Sequence, residues 1–299
     1  MPEPETHARS GFGVAIDGDP AALVARVERM GRRIDTRSRV PGAGPTAWRV
    51  WGEGPPVVLL HGGHGSWTHW LCNIPDLARR WTLFVPDMPG YGDSAPLPQP
   101  HSVETLAEIV FAGLGEILPE PRFALVGFSF GGVAAGFVAR LAGERVRRLV
   151  LVGSGGLRLR SPPIEELRTW RRLADPVARE AAHRANLRIL MIHDEARIGP
   201  LAVHLQARNA ERTRVRSRDF SRAGLLRLVL PELKLPLAGI WGEYDATARG
   251  YLAEREALLR EFDPESAFTV VPGAGHWVQY EGPEAFDRAL EGVLASPRA

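Results

Sequence analysis

Short apolar runs alternate with longer amphipathic stretches along most of the chain. The apolar runs that predict strands cover residues 46–51, 56–60, 82–85, 123–126, 146–152, 237–241 and 268–271. The stretches with helical spacing cover residues 20–30, 67–80, 103–118, 130–141, 251–261 and 283–294, and Ser102 is placed to cap the third of these. Short strands separated by helices are typical of βαβ units, which build a parallel sheet that is buried on both faces. The pattern therefore predicts an α/β fold.

The alternation stops after Gly156 and resumes at Leu237, with only helical patterns and proline breaks between them. This interruption predicts an inserted helical region. The resulting division is an N-terminal extension with a short helix at residues 1–30, an α/β core at 31–156 and 236–299, and a helical cap at 157–235.

Composition places the chain among globular proteins, with 44% hydrophobic and 24% charged residues in 299. Neither a signal-peptide pattern nor an apolar stretch long enough to cross a bilayer is visible, so we expect a soluble cytoplasmic protein without a membrane partner. The net charge of +2 and the lack of a basic stripe with interleaved aromatics argue against nucleic-acid binding. A single cysteine, Cys72, excludes an intrachain disulfide and a cysteine-based metal cluster.

The segment Gly127-Phe-Ser-Phe-Gly131 fits the pattern G-x-S-x-G. The pattern alone is a weak signal, but here it follows an apolar strand and opens a helix. A strained turn between strand and helix lifts a serine hydroxyl above the edge of the sheet. The context therefore predicts Ser129 as a nucleophile.

A serine hydroxyl needs a base, and the base needs an acid that orients it. Of the histidines that follow Ser129, only His276 lies in a loop after a late predicted strand, whereas His183, His193 and His204 fall in the helical insertion. The acid is expected between the nucleophile and the base in this kind of fold. Asp245 follows the strand that ends at Trp241 and is favoured, and Glu243 is the competing candidate.

A glycine-rich loop, His61-Gly-Gly-His-Gly65, follows the strand at 56–60. Its backbone can direct an N–H group at a reacting carbonyl oxygen, and a second N–H can come from Phe130. We therefore predict an oxyanion hole formed by Gly63 and Phe130, where each donor is typically worth about 3 kcal/mol in the transition state.

Three histidines of this region, His61, His64 and His69, raise the question of a metal site. No carboxylate accompanies them at helical spacing, so we predict ordinary loop residues and no bound metal. The turn-rich loop at 87–94 is expected to shape the floor of the site rather than to react.

Five segments resemble the α/β-hydrolase superfamily in order and spacing. They are His61-Gly-Gly63, Asp87-Met-Pro-Gly-Tyr-Gly-Asp-Ser94, Gly127-Phe-Ser-Phe-Gly-Gly132, Trp241-Gly-Glu-Tyr-Asp245 and Gly275-His276. The resemblance covers roughly residues 30–295. It implies an eight-stranded, mostly parallel sheet with a helical cap after the sixth strand, and a Ser–His–Asp mechanism without a cofactor. Epoxide hydrolases and haloalkane dehalogenases of this fold carry Asp at the nucleophile position, so Ser129 argues against both.

Two groups within this superfamily remain open. One comprises carboxylesterases and lactonases, and the other the meta-cleavage-product hydrolases, which split C–C bonds. Trp277 directly after His276 and Arg208 in the cap are similar to the second group, in which a cap arginine contacts the anionic end of the substrate. Phe128 stands where that group usually has Asn, which favours the esterases.

The expected activity is therefore hydrolysis of a small or medium, largely apolar ester, with a dienoate C–C hydrolase as the alternative. A non-catalytic small-ligand receptor on the same fold is a remote third option. Phe128, Phe130 and Trp277 flank the catalytic positions and predict an apolar, partly aromatic substrate pocket. The partner is a small molecule, and the oligomeric state stays open, with a homodimer as one option.

Overall fold

The computed structural model describes residues 18–118, 120 and 122–298, and within them eight strands form one sheet. Residues 1–17 of the predicted N-terminal extension lie outside the described residues. The strands are β1 Arg32–Arg37, β2 Pro45–Trp51, β3 Pro56–Leu60, β4 Thr82–Pro86, β5 Phe123–Phe128, β6 Val146–Val152, β7 Leu237–Gly242 and β8 Ala267–Val271.

The strands are ordered β1-β2-β4-β3-β5-β6-β7-β8 across the sheet. β1 pairs with β2 and β2 with β4 in antiparallel fashion, and every later pair is parallel. The predicted eight-stranded, mostly parallel α/β fold is confirmed. Because the strands from β3 to β8 run in one direction, the loops that leave β3, β5, β7 and β8 meet at the same edge of the sheet.

Helices cover both faces of the sheet. They are α1 Pro20–Arg29, α2 Ile74–Leu77, α3 Val103–Ile117, α4 Phe130–Ala142, α5 Pro176–Asn186, α6 Pro200–Glu211, α7 Ser217–Arg222, α8 Leu225–Val229, α9 Leu252–Phe262, α10 Val278–Glu281 and α11 Pro283–Ala295. α3, α4 and α9 pack into the apolar core on one face, and α1, α2 and α11 into the core on the other.

The predicted start of α3 agrees with the structure. Ser102 has extended backbone angles, and its hydroxyl oxygen accepts a hydrogen bond from the Thr105 N–H at 3.0 Å. Val103, Leu106 and Val110 then bury one face of the helix, as a 3.6-residue period requires.

The structure differs from the sequence prediction at residues 67–80 and at β1. Residues 67–80 do not form one helix: a short 3₁₀ helix, Trp67–Trp70, is followed by the single-turn α2, which has Pro75 near its start. A proline inside a continuous helix would remove one backbone hydrogen bond and clash with the preceding turn. β1 was not predicted, since its sequence, Arg-Arg-Ile-Asp-Thr-Arg, lacks an apolar run, and it forms the solvent-facing edge of the sheet.

The described residues between β6 and β7 contain helices and irregular segments but no strand. α7 and α8 pack against α4, which begins directly after Ser129. The insertion therefore extends over the edge of the sheet where the candidate residues lie, whereas its exact boundaries as a separate cap stay a prediction. No helix within the described part of the chain has both the length and the apolarity to cross a membrane.

Candidate active site

Ser129 occupies the turn between β5 and α4 with φ 53° and ψ −114°. This is a strained backbone conformation for a residue with a side chain. The turn is tight because the chain passes close to β3: a Cβ atom at Gly131 would lie 2.3 Å from the Leu60 carbonyl oxygen. Glycine is therefore required there, and the strand–turn–helix context predicted for Ser129 is present.

His276 connects Ser129 to Asp245. Its Nε2 lies 3.0 Å from the Ser129 Oγ, and its Nδ1 lies 2.9 Å from both carboxylate oxygens of Asp245. Asp245 is completely buried and His276 nearly so. With the proton on Nδ1, the imidazole donates to Asp245 and presents Nε2 as an acceptor for the serine hydroxyl. The structure thus brings together the three side chains proposed as the catalytic set.

Further groups hold the Asp245 carboxylate. The backbone N–H and the hydroxyl of Thr247 both donate to Asp245 Oδ1, each at 2.8 Å. Arg255 donates to the Thr247 carbonyl at 3.1 Å and to the Tyr251 carbonyl at 3.0 Å, and so ties the turn after Asp245 to α9. Burial lowers the pKa of Arg255, and the negative charge of Asp245 opposes that shift.

Glu243, the competing acid, points elsewhere. It is exposed, and its Oε2 accepts the Gly273 N–H at 2.9 Å. No contact joins it to His276 among the described residues. Of the two acids, only Asp245 therefore contacts His276.

The predicted oxyanion-hole residues flank Ser129. A Cβ atom at Gly62 would lie 3.2 Å from the Ser129 Cβ, and one at Gly63 would lie 3.8 Å from the Phe130 Cβ. No acceptor meets the Gly63 N–H among the described residues, and Phe130 is the first residue of α4, where N–H groups lack a partner within the helix. Both amides are thus candidates for binding an oxygen atom beside Ser129.

Two of the three histidines of this region, His61 and His69, hold the backbone. His61 Nε2 accepts the Met88 N–H at 3.0 Å, and His69 Nδ1 accepts the Gly62 N–H at 3.2 Å. Burial lowers the pKa of both side chains, so both imidazoles are neutral at pH 7. Among the described residues no group of three or more potential metal ligands is present.

The 87–94 loop is anchored by the buried Asp87. Its two carboxylate oxygens accept N–H bonds from Trp67 and Asp93, both at 2.9 Å. Arg49 donates to the same carboxylate at 3.1 Å. These contacts fix the loop against the 3₁₀ helix that begins at Trp67, which fits the predicted architectural role.

The aromatic residues predicted to line a substrate pocket are all buried. The Phe128 ring lies 5.1 Å from the His276 ring, and the Trp277 indole N–H donates to the His69 carbonyl at 3.0 Å. Phe130 stacks against Phe220 of α7 at 5.9 Å. In this conformation the three side chains pack around the catalytic set, and their contact with substrate stays a prediction.

A cavity of about 210 Å³ reaches His276 from the surface. Its lining includes the insertion residues Ile189, Met191 and Ile192, the aromatic Tyr244, and the arginines Arg188 and Arg249. Arg208 is not part of this lining. It lies on α6, four residues after His204. Burial lowers the pKa of His204, and the positive charge of Arg208 lowers it further. No contact in the described residues brings Arg208 to the triad, so its substrate role stays a prediction.

Three residues around the triad were not found from the sequence. Thr247 donates to the Asp245 carboxylate, and Arg255 donates to the Thr247 carbonyl. Glu281 accepts the backbone N–H of Gly275, beside His276. A threonine two residues after an aspartate is a signal for a local side-chain turn. The sequence offers no comparable signal for Arg255 or Glu281.

Comparison with known proteins agrees with this architecture. Residues 55–179 match the family model described as alpha/beta hydrolase fold. A pimeloyl-[acyl-carrier protein] methyl ester esterase of Yersinia enterocolitica is 30% identical over 266 residues, which cover 81% of this chain and 95% of the esterase. A 2-hydroxy-6-oxo-6-phenylhexa-2,4-dienoate hydrolase of Burkholderia cepacia is 28% identical over 264 residues, covering 82% of this chain and 89% of the hydrolase.

Another relative is longer. The dihydrolipoyllysine-residue acetyltransferase component of an acetoin cleaving system of Pseudomonas putida is 31% identical over 263 residues, which cover 81% of this chain. The matched part spans only 64% of that protein's length. Among solved structures, the esterase RhEst1 from Rhodococcus sp. ECU1013 superposes with a TM-score of 0.67 at 23% identity, covering 89% of this chain and 99% of the esterase. At that identity the likeness concerns the fold alone.

Proposed function

This chain belongs to the α/β-hydrolase superfamily and is a hydrolase, and from that premise we propose that it cleaves a small or medium, largely apolar ester through an acyl-enzyme. The observation that carries the proposal is the continuous hydrogen-bonded series from the Ser129 hydroxyl through His276 to the buried Asp245 carboxylate. A neutral imidazole with Nε2 facing a serine hydroxyl is the arrangement that general-base activation of that hydroxyl needs.

In the first half of the reaction, Ser129 Oγ attacks the ester carbonyl carbon while its proton passes to His276 Nε2. The carbonyl oxygen becomes an oxyanion beside the Gly63 and Phe130 N–H groups, and Asp245 stabilises the imidazolium. His276 then gives the proton to the alkoxide leaving group as the C–O bond breaks. The acyl group remains on Ser129.

In the second half, water attacks the acyl carbon and His276 Nε2 takes its proton. The tetrahedral intermediate collapses, the proton returns to Ser129 Oγ, and the carboxylic acid product leaves. The small cavity that reaches His276 supports a substrate of modest size. The buried Phe128 ring beside His276 supports an apolar acyl group.

The experiment is an activity screen against p-nitrophenyl esters of graded chain length, combined with labelling by a fluorophosphonate. We expect the label on Ser129 and a loss of several orders of magnitude in kcat for Ser129→Ala, with an unchanged fold. Labelling of another serine, or full activity in Ser129→Ala, would overturn the site assignment.

Cleavage of a C–C bond in a dienoate is the second candidate. It is favoured by the similarity to a Burkholderia cepacia hydrolase whose name gives such a substrate and which this chain matches over most of its length. The same three residues would act, with a carbanion-derived leaving group in place of an alkoxide. Efficient cleavage of a ring-fission dienoate by the unmodified protein, with weak action on esters, would place this candidate first.

A further inference from the structure

Glu281 is a buried carboxylate next to the loop that carries His276, and only 5% of its surface is exposed. The Gly275 N–H donates to its Oε2 at 2.7 Å. On its other side, the Asp194 N–H donates to Oε1 at 2.6 Å, and the His193 N–H lies 3.0 Å from both oxygens. One side chain therefore joins the base-bearing loop to a segment of the insertion.

The same two segments also touch directly. The Trp277 N–H donates to the Met191 carbonyl at 2.7 Å, and a Cβ atom at Gly275 would lie 2.8 Å from the His193 nitrogen. Gly275 and Trp277 are the residues immediately before and after His276. Residues 191–194 of the insertion thus hold the backbone on both sides of His276. Residues 193–194 are linked to Gly275 through Glu281, and Met191 binds Trp277 directly.

The segment that holds the loop is also a wall of the cavity. Met191 and His193 line the cavity of about 210 Å³ together with Gly275 and His276. A buried carboxylate that accepts several backbone N–H groups is a strong and directional anchor, because each bond is charge-assisted and shielded from water. If this anchor were displaced, the imidazole of His276 would move with the loop. A displacement of a catalytic group by about 1 Å can lower the rate roughly 100-fold.

We propose that Glu281 is a positioning residue, which sets the placement of His276 by anchoring residues 193–194 of the insertion to Gly275. The proposal rests on the proposed function, since it assigns His276 the role of base. Glu281 does not contact the reacting atoms and acts through the backbone of the loop. Removal of its charge should affect the chemical step more than the binding of substrate.

The test is Glu281→Gln, which keeps the size but replaces one accepting oxygen by an NH₂ group. We expect kcat to fall roughly 10- to 100-fold with KM changed less than about twofold. We also expect the low-field ¹H NMR signal of the His276 Nδ1–H, which donates to Asp245, to broaden or disappear. If the role of Glu281 were purely structural, the substitution would lower the folded fraction but would leave the kcat and the NMR signal of the folded molecules unchanged.

The matched control is Glu243→Gln, because Glu243 also accepts a backbone N–H of the same loop, from Gly273, but is exposed. This control should retain kcat and the NMR signal. If Glu281→Gln does not fold, Glu281→Asp keeps the charge on a shorter arm and should give a reduced kcat with KM preserved. Unchanged kcat and an unchanged signal in a folded Glu281 variant would overturn the proposal.

The two proposals can fail separately. Full activity in Ser129→Ala would overturn the serine mechanism, whereas the Nδ1–H signal reports the placement of His276 without any turnover. If the signal is lost in Glu281→Gln while Ser129→Ala stays active, the proposed role of Glu281 in placing His276 stands and the serine mechanism is rejected.

Discussion

Thr247 donates two hydrogen bonds to a single oxygen of Asp245. Its backbone N–H and its hydroxyl both reach Oδ1 at 2.8 Å. Since both carboxylate oxygens also lie 2.9 Å from His276 Nδ1, the carboxylate is fixed in rotation as well as in place. The carboxylate of Asp245, the proposed catalytic acid, is therefore oriented by its own turn.

Substitution of Thr247 by Val removes the hydroxyl and keeps the backbone N–H. Loss of one hydrogen bond to a charged acceptor should cost about 1.5 kcal/mol in kcat/KM, or roughly tenfold, because the remaining donors hold the carboxylate less firmly. Steady-state ester hydrolysis measures the effect, and Thr247→Ser should restore activity. Thr213→Val is the control, because Thr213 donates to the Asn209 carbonyl, away from the triad. Equal losses in both variants would contradict a specific role of Thr247.

Asp245→Asn should lower kcat by several orders of magnitude. An amide in place of the carboxylate can favour the wrong tautomer of His276 and no longer stabilises the imidazolium. Glu243→Gln, measured in parallel, should have little effect because the Glu243 carboxylate bonds only to the Gly273 N–H among the described residues. The opposite ranking would make Glu243 the third member of the triad.

That Ser129, Asp245 and His276 lie close together could be predicted because their placement depends on local signals at strand ends. Ser129 follows β5 in a glycine-rich turn, and Asp245 and His276 follow β7 and β8. In a parallel sheet these strand ends lie on one edge. The residue types and their order along the chain were therefore sufficient to predict that the three side chains lie together. The prediction of the Ser102 cap succeeded for the same reason, since its partner Thr105 is three residues away.

Features that arise from distant contacts could not be predicted. Glu281 meets Asp194, which is 87 residues away in sequence, and no periodicity encodes such a pair. β1 forms because β2 offers an unpaired edge, although its own sequence is mostly charged. The prediction of one helix over 67–80 was wrong. The apolar spacing typical of a helix continues through Pro75, but the proline requires the chain to start a new turn there.

Two arginines are candidates for binding the anionic end of a dienoate. If the protein is a C–C hydrolase and Arg208 binds that end, Arg208→Ala should cost about 2–4 kcal/mol in kcat/KM for the dienoate and leave neutral esters nearly unaffected. Arg249, however, lines the cavity that reaches His276, and Arg208 does not. We therefore expect Arg249→Ala to cause the larger loss with a dienoate. A large loss in Arg208→Ala alone would show that α6 contributes to substrate binding.

Asp287 is a buried acid on α11 whose protonation should control stability. Burial raises its pKa to about 8, against the hydrogen bond that Asn73 donates to Oδ1 at 2.9 Å. Nearby Asp76, Glu291 and Glu284 raise the pKa further. The folded protein therefore holds a proton on Asp287 at pH values where the unfolded chain, with a carboxyl pKa of about 3.9, has lost it.

When the folded state binds more protons than the unfolded state, the free energy of unfolding decreases as pH rises. The contribution of Asp287 should be fully present below about pH 4 and lost progressively as pH rises to about 8. The expected loss is on the order of a few kcal/mol, since each pH unit over which only the folded state holds the proton costs about 1.4 kcal/mol. Asp287→Asn keeps the acceptor for Asn73 but cannot ionise, so it should remove this part of the pH dependence.

Urea denaturation of the unmodified protein and of Asp287→Asn at pH 5, 6, 7 and 8 measures the difference. The gain in stability of Asp287→Asn over the unmodified protein should increase steadily with pH. Glu166→Gln is the control, because Glu166 is exposed and should leave the slope unchanged. A constant difference between Asp287→Asn and the unmodified protein across this range would mean that Asp287 is already ionised in the folded state at pH 5, and that Asn73 and the surrounding backbone stabilise the carboxylate in spite of its burial.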